Sequence, residues 1–167
     1  MKSLKFLFVA VLAAFALVSC DNGTEKPTET TEHIGPVVLN WGKASDVNGK
    51  TFEIGMKSWS ADTYELIVHV ELTNTLSDSK IFTIKEVRGY DLTTAFASLC
   101  TSQCMPGNSQ EEQNWEIGTV DAGDMMQVDL HLAPMVETAT TFPVEFTFSD
   151  GTDNVTFTVK YNYTPAE

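Results

Sequence analysis

Phe142-Pro143-Val144-Glu145-Phe146-Thr147-Phe148-Ser149-Asp150-Gly151-Thr152-Asp153-Asn154-Val155-Thr156-Phe157-Thr158-Val159-Lys160-Tyr161 is the stretch that decides the fold. In its first half, Phe142, Val144, Phe146 and Phe148 fall on every second residue. Val155, Phe157, Val159 and Tyr161 do the same in its second half. A side-chain repeat of two places each set on one face of an extended strand. Ser149 to Asn154, between them, consists of residues that tolerate tight turns and positive φ. The stretch therefore predicts a β-hairpin with one buried face.

The same period runs upstream. Leu66, Val68, Val70 and Leu72 alternate with Glu65, Ile67, His69 and Glu71; Met126, Val128, Leu130 and Leu132 alternate with Gln127, Asp129 and His131. Shorter runs at Val37–Trp41, Thr51–Met56, Lys80–Val87 and Trp115–Val120 complete a set of about seven to eight strands. Turn signals such as Val47-Asn48-Gly49 and Asp121-Ala122-Gly123-Asp124 separate them. No window carries apolar residues at helical spacing. Many short strands at this spacing predict an all-β two-sheet sandwich over residues 36–167, with a closed barrel as the competing architecture. A domain of that size buries about two-thirds of its unfolded surface, enough for a core without metal.

The chain has 167 residues, 43% of them hydrophobic, which leaves room for one such domain and a short appendage. The appendage is at the amino terminus. Lys2 and Lys5 precede an unbroken apolar run from Phe6 to Val18, which falls short of the about 20 residues needed to span a bilayer. Residues 1–19 thus predict a cleaved secretory signal. Leu17-Val18-Ser19-Cys20 resembles the lipobox of bacterial lipoproteins, and the resemblance implies that Cys20 carries a diacylglycerol and an acylated amine, with palmitate among the chains. Residues 20–35 (CDNGTEKPTETTEHIG) have a single aliphatic side chain, Ile34, and predict a disordered tether with a reach of roughly 20 Å.

Charge narrows the partners. Loss of Lys2 and Lys5 with the signal leaves eight basic residues against 23 acidic ones. Phosphate binding needs clustered cations, so nucleic acid is not expected as a partner, and neither is an anionic membrane surface. The acidity fits a solvated protein outside the cytoplasm.

Chemistry-bearing residues are few. Cys100 and Cys104 form an even pair in an oxidising compartment, which makes a disulfide the default. Two alternatives stand beside it. One is a redox-active dithiol, although the two-residue spacing of such motifs is absent. The other is a Cu(I) site using both sulfurs with Met105 and an imidazole. His33, His69 and His131 lie in three separate segments; the last two occupy polar positions of strands, as solvent-facing residues on a sheet would. Glu111, Glu112, Glu116, Asp121, Asp124 and Asp129 are close in sequence, and a solvated acidic face accounts for them better than a carboxylate pair across a glycosidase cleft. Asp150, Thr152, Asp153 and Asn154 fit turn chemistry better than the twelve-residue calcium loop. Of Trp41, Trp59 and Trp115, Trp59 sits in a polar, loop-like stretch and is the candidate for stacking on a ligand. No catalytic residue and no cofactor is assigned, and the expectation is a protein that is not an enzyme.

The order Val70-Glu71-Leu72-Thr73-Asn74, Ser77-Asp78-Ser79, Ile81–Arg88, Cys100 and Cys104, Ala122-Gly123-Asp124, Pro134 and Phe146-Thr147-Phe148-Ser149-Asp150 resembles an immunoglobulin-like sandwich recurrent in secreted and lipid-anchored proteins of Bacteroidota. The resemblance covers about residues 62–163. It implies an immunoglobulin-like fold outside the cytoplasm and no particular activity. Asp21 also resembles the inner-membrane retention signal of enteric bacteria, but the Bacteroidota resemblance favours a lipid anchor in the outer membrane, facing either the periplasm or the cell surface. The functional expectation is a non-catalytic binding or structural module with a protein or glycan partner. The alternative is a thiol-redox or copper protein built on Cys100 and Cys104.

Overall fold

The computed structural model describes residues 36–57 and 65–165. Cys20, Trp59, the signal and the tether lie outside the described residues. Among the described residues ten strands follow one another: β1 (Val37–Trp41), β2 (Thr51–Lys57), β3 (Leu66–Asn74), β4 (Lys80–Arg88), β5 (Ala95–Cys100), β6 (Cys104–Pro106), β7 (Glu112–Val120), β8 (Met125–Pro134), β9 (Thr140–Ser149) and β10 (Asn154–Thr164). They form two five-stranded sheets ordered β1-β3-β8-β5-β6 and β2-β10-β9-β4-β7. Within these, β3-β8-β5 and β4-β9-β10 are the B-E-D and C-F-G rows of an immunoglobulin-like sandwich, in the same chain order. The class expected from the alternation is therefore the one observed. Among the described residues no helix is long and apolar enough to cross a membrane.

Eight of the strands coincide with the expected runs, within a few residues at each end. β5 and β6 are additional. Ala95, Ala97 and Leu99 of β5 do alternate inward, but two alanines and an outward Phe96 give too little contrast in hydrophobicity for the period to register.

Burial follows the period of two. β3 alternates buried and half-buried residues along its whole length, with Leu66, Val68, Val70 and Leu72 fully covered. Phe82, Phe142, Phe148, Phe157 and Tyr161 supply the bulk between the sheets. Each such side chain contributes roughly 1.5–3 kcal/mol when withdrawn from water. Edge-to-face packing of Trp41 on Phe82, with ring centroids 4.9 Å apart, ties the first strand to the second sheet.

The register defines two poles. β1 runs parallel to the second half of β3, from Val37 beside Val70 to Trp41 beside Asn74, so Val37 is the basal end of β1 and Trp41 its distal end. β2 runs parallel to β10 and ends with Lys57 beside Thr164, also basal. At the distal pole lie the β1–β2 connection, the turns β3–β4 and β7–β8, and the β9–β10 hairpin turn. Asn74, fully buried, stitches two of them together. Its amide donates to the carbonyls of Asp78 (2.8 Å) and Val120 (2.9 Å) and accepts from the Leu76 N–H (3.1 Å).

Candidate functional site

Among the described residues, a concavity lies at the distal pole, on the flank where β1 leaves its sheet and β10 begins. It encloses about 310 Å³, the lower end of the range for small-molecule pockets. Buried Leu39 and Trp41 back it, half-buried Val155 adds apolar surface, and Asn40, Lys43, Ser45, Asn48, Asp153 and Asn154 contribute amides, a hydroxyl and one charge of each sign.

The walls are fixed by hydrogen bonds rather than left to loop mobility. Asn48 Oδ1 accepts from the Thr156 N–H (2.9 Å), and the Gly49 N–H donates to the Thr156 carbonyl (2.7 Å), docking the β1–β2 connection onto β10. Asp150 Oδ1 accepts from the N–H groups of Thr152 (2.9 Å) and Asp153 (2.8 Å), while its Oδ2 accepts from Trp41 Nε1 (3.1 Å). Desolvation would raise the Asp150 carboxyl. The two backbone hydrogen bonds, Trp41 and nearby Lys80 outweigh it and hold the group below the usual aspartate range. Asp150 and its neighbours thus act as the turn expected from sequence. The chain leaves β1 through Gly42 at φ +87°, where a Cβ would lie 2.5 Å from Leu76 Cδ2, so this corner requires glycine.

A second polar constellation is buried near the basal pole. Glu86 and Arg88 are 3% and 2% exposed, on the inward face that continues from Phe82 and Ile84. Arg88 Nε and Nη2 bind Glu86 Oε1 and Oε2, both at 3.0 Å. Its Nη1 donates to the carbonyls of Asn108 (2.6 Å) and Gln110 (3.1 Å), and Nη2 also donates to Gln113 Oε1 (2.8 Å). All five guanidinium donors are engaged, so Arg88 is a structural tie and has no donor left for an anionic ligand. Trp115 Nε1 completes the carboxylate at 3.0 Å. The loop at Gly107 fits closely here: a Cβ would meet the Ala97 carbonyl at 2.5 Å and Arg88 Nη2 at 2.8 Å. Sequence reasoning did not single out Glu86 and Arg88. Their parity with Phe82 and Ile84 was the available signal.

Cys100 and Cys104 are joined by a disulfide directly across the β5–β6 pair. Met105 faces the other way, opposite Leu99, and packs against the core, so it does not share a sulfur site with Cys104. Along one row of the outer face lie Cys104, Cys100, Asp129 and His69 on four adjacent strands. His69 Nδ1 is 2.8 Å from Asp129 Oδ1, which also accepts from Gln127 Nε2 (2.9 Å). Partial burial raises the Asp129 carboxyl, and the hydrogen bonds from Gln127 and His69 more than offset it, leaving the group below its ordinary value. His131 Nδ1 lies 3.0 Å from Glu65 Oε2. Both histidines are on the outward face, as their strand positions predicted. Among the described residues no group of three or more His, Cys, Asp or Glu side chains is arranged to hold a metal.

The carboxylates that are close in sequence separate in space. Glu111, Glu112 and Glu116 follow one sheet edge, Asp121 and Asp124 sit in the distal β7–β8 turn, and Asp129 is on the other sheet. Trp41 and Trp115 are core residues, 3% and 4% exposed. The stacking candidate, Trp59, lies outside the described residues.

No family model matches the chain. No curated protein matches it either. Among solved structures it is similar to the N-terminal domain of PorA, at 17% identity over 74% of this chain and 94% of that one, with a TM-score of 0.43. It is also similar to the collagen-binding domain from a Staphylococcus aureus adhesin, at 12% identity over 64% of this chain and 93% of that one, TM-score 0.37. A family 123 glycoside hydrolase from Clostridium perfringens matches 80% of this chain with 27% of its own, at 9% identity and a TM-score of 0.39. None of the three transfers a ligand or a site residue to this chain.

Proposed function

We propose that this protein is a lipid-anchored extracytoplasmic lipoprotein whose sandwich is a non-catalytic binding module, held in a bacterial outer membrane by Cys20 and presenting its distal groove to a protein or glycan partner. One observation carries the reading. The groove is at the distal pole, while the chain enters β1 from the basal side. A tether joined on that side leaves the groove facing away from the bilayer. The mixed lining of amides, hydroxyl and apolar carbons suits a polar ligand recognised by shape and hydrogen bonds.

Two measurements test it. Incorporation of labelled palmitate in cells is expected for the native chain and lost in Cys20→Ser; incorporation that survives the substitution refutes the anchor. On a glycan and peptide array, Asn40→Ala and Lys43→Ala, both at exposed positions, are expected to abolish binding without altering urea unfolding. A ligand whose binding ignores both substitutions refutes the groove. A thiol-redox or copper role gains no support, since the two sulfurs are bonded to each other and Met105 faces the core.

A further inference from the structure

Four strands end the two sheets, and they are unequally protected. β1 has five residues, and β6 has three, including Pro106, and is stapled by the disulfide. β2 is seven residues long and ends on Lys57. β7 has nine residues, with neither proline nor a basic side chain. Short length, proline and lysine are three of the devices that keep an edge from pairing with another chain; β7 has none of these and carries a bulge and exposed glutamates instead, which repel acidic strands but not basic ones.

β7 is also firmly supported from the sheet behind it. Trp115 is hydrogen-bonded to buried Glu86, Gln113 accepts from buried Arg88, and Glu112 pairs with Lys85 at 2.8 Å. Its backbone groups are thus held in extended geometry before any partner arrives, which reduces the ordering cost of adding a strand. The regular ladder with β4 is interrupted where the register shifts between Phe82 and Thr83, leaving Ile117 as the bulged residue before Gly118 at φ +103°, so the straight part of the edge is Glu112–Glu116. Along it and just before it stand Glu111, Glu112 and Glu116, all exposed.

We infer that the Glu112–Glu116 edge of β7 is a docking site for an extended, cationic segment of a partner protein, added as a further strand to the β2-β10-β9-β4-β7 sheet. Main-chain hydrogen bonds supply the pairing, and the glutamates select basic side chains on the incoming strand. A second copy of the chain is the poorer occupant, because it brings a net charge of −13, and the same glutamates, to an edge that is already acidic. This surface lies on the opposite flank from the distal groove and stands independently of it.

The test uses a short peptide alternating lysine with valine, an otherwise identical glutamate–valine peptide, and the native protein. The lysine peptide is expected to slow amide hydrogen exchange within Glu112–Glu116 by about tenfold or more while leaving β1 and β2 unchanged, and the glutamate peptide to do nothing. The paired substitution Glu112→Lys and Glu116→Lys is expected to weaken binding about tenfold, the order produced by reversing two rim charges. Thr119→Lys, at an exposed position beyond the bulge, serves as a fold-neutral control and retains binding. Protection at another edge, equal protection by both peptides, or binding indifferent to the double substitution overturns the inference. So does sedimentation showing a dimer whose β7 amides are protected without peptide.

Discussion

Replacing Arg88 by methionine keeps much of the side-chain volume but strands Glu86, whose carboxylate side chain is only 5% exposed, with a single remaining donor from Trp115. Breaking a buried ion pair on one side costs about 3–5 kcal/mol, because the surviving charge cannot be rehydrated. The carbonyls of Asn108 and Gln110 also lose a donor, but both residues are exposed and water replaces it. The expected outcome for Arg88→Met is thus a loss of about 3–5 kcal/mol, a fall of roughly 2 M or more in the urea midpoint followed by tryptophan fluorescence. The informative comparison is the double variant Glu86→Leu with Arg88→Met. With both charges gone, the Trp115 N–H is the buried group left without its partner, while Gln113 Oε1 keeps the Asn108 N–H and the exposed carbonyls of Asn108 and Gln110 turn to water, so the double variant is expected to recover at least half of the single variant's loss. If it is as unstable as Arg88→Met alone, the reasoning that charge desolvation dominates this network is wrong.

Removing the disulfide with Cys100→Ala and Cys104→Ala returns only a very short loop's worth of entropy to the unfolded chain, so the loss is expected to be about 2 kcal/mol, with hydrogen exchange rising over residues 101–106 and little elsewhere. Because the folded Asp129 carboxyl lies below its ordinary value, its contribution is present above about pH 4 and is lost as pH falls through the folded value; Asp129→Asn should flatten the acid limb of the stability profile below pH 4 in urea titrations. Burial pushes the Tyr90 hydroxyl up to about 12, so its contribution is intact below about pH 10 and disappears as pH rises toward 12. Tyr90→Phe should soften alkaline unfolding in that window, read by tyrosinate absorbance.

Most of the sheet framework was legible because a half-buried strand writes its burial into every second residue. The hairpin at Phe142–Tyr161, β3 and β8 all show it, and the structure places each set of alternating residues inward. β5 was hidden because alanine at 95 and 97 meets the core with almost no side chain, allowing Phe96 to face out without an obvious break in pattern. Glu86 and Arg88 were hidden for the opposite reason. Charged residues read as solvent-facing, and only a bidentate pair with its remaining donors satisfied makes their burial tolerable. The distal groove was beyond reach of local reading, since Asn40 and Asn154 are brought together by the sandwich topology and by no motif.

The parallel pairing of β1 with β3 carries a mechanical consequence. A pull on the residue before Val37 is directed along the strand axis, so the five register pairs from Val37–Val70 to Trp41–Asn74 are strained together, as in a lap joint. An antiparallel first strand drawn from the same side would instead peel one rung at a time. Under the tether and distal partner proposed above, the body would be loaded in the direction its first ladder resists best.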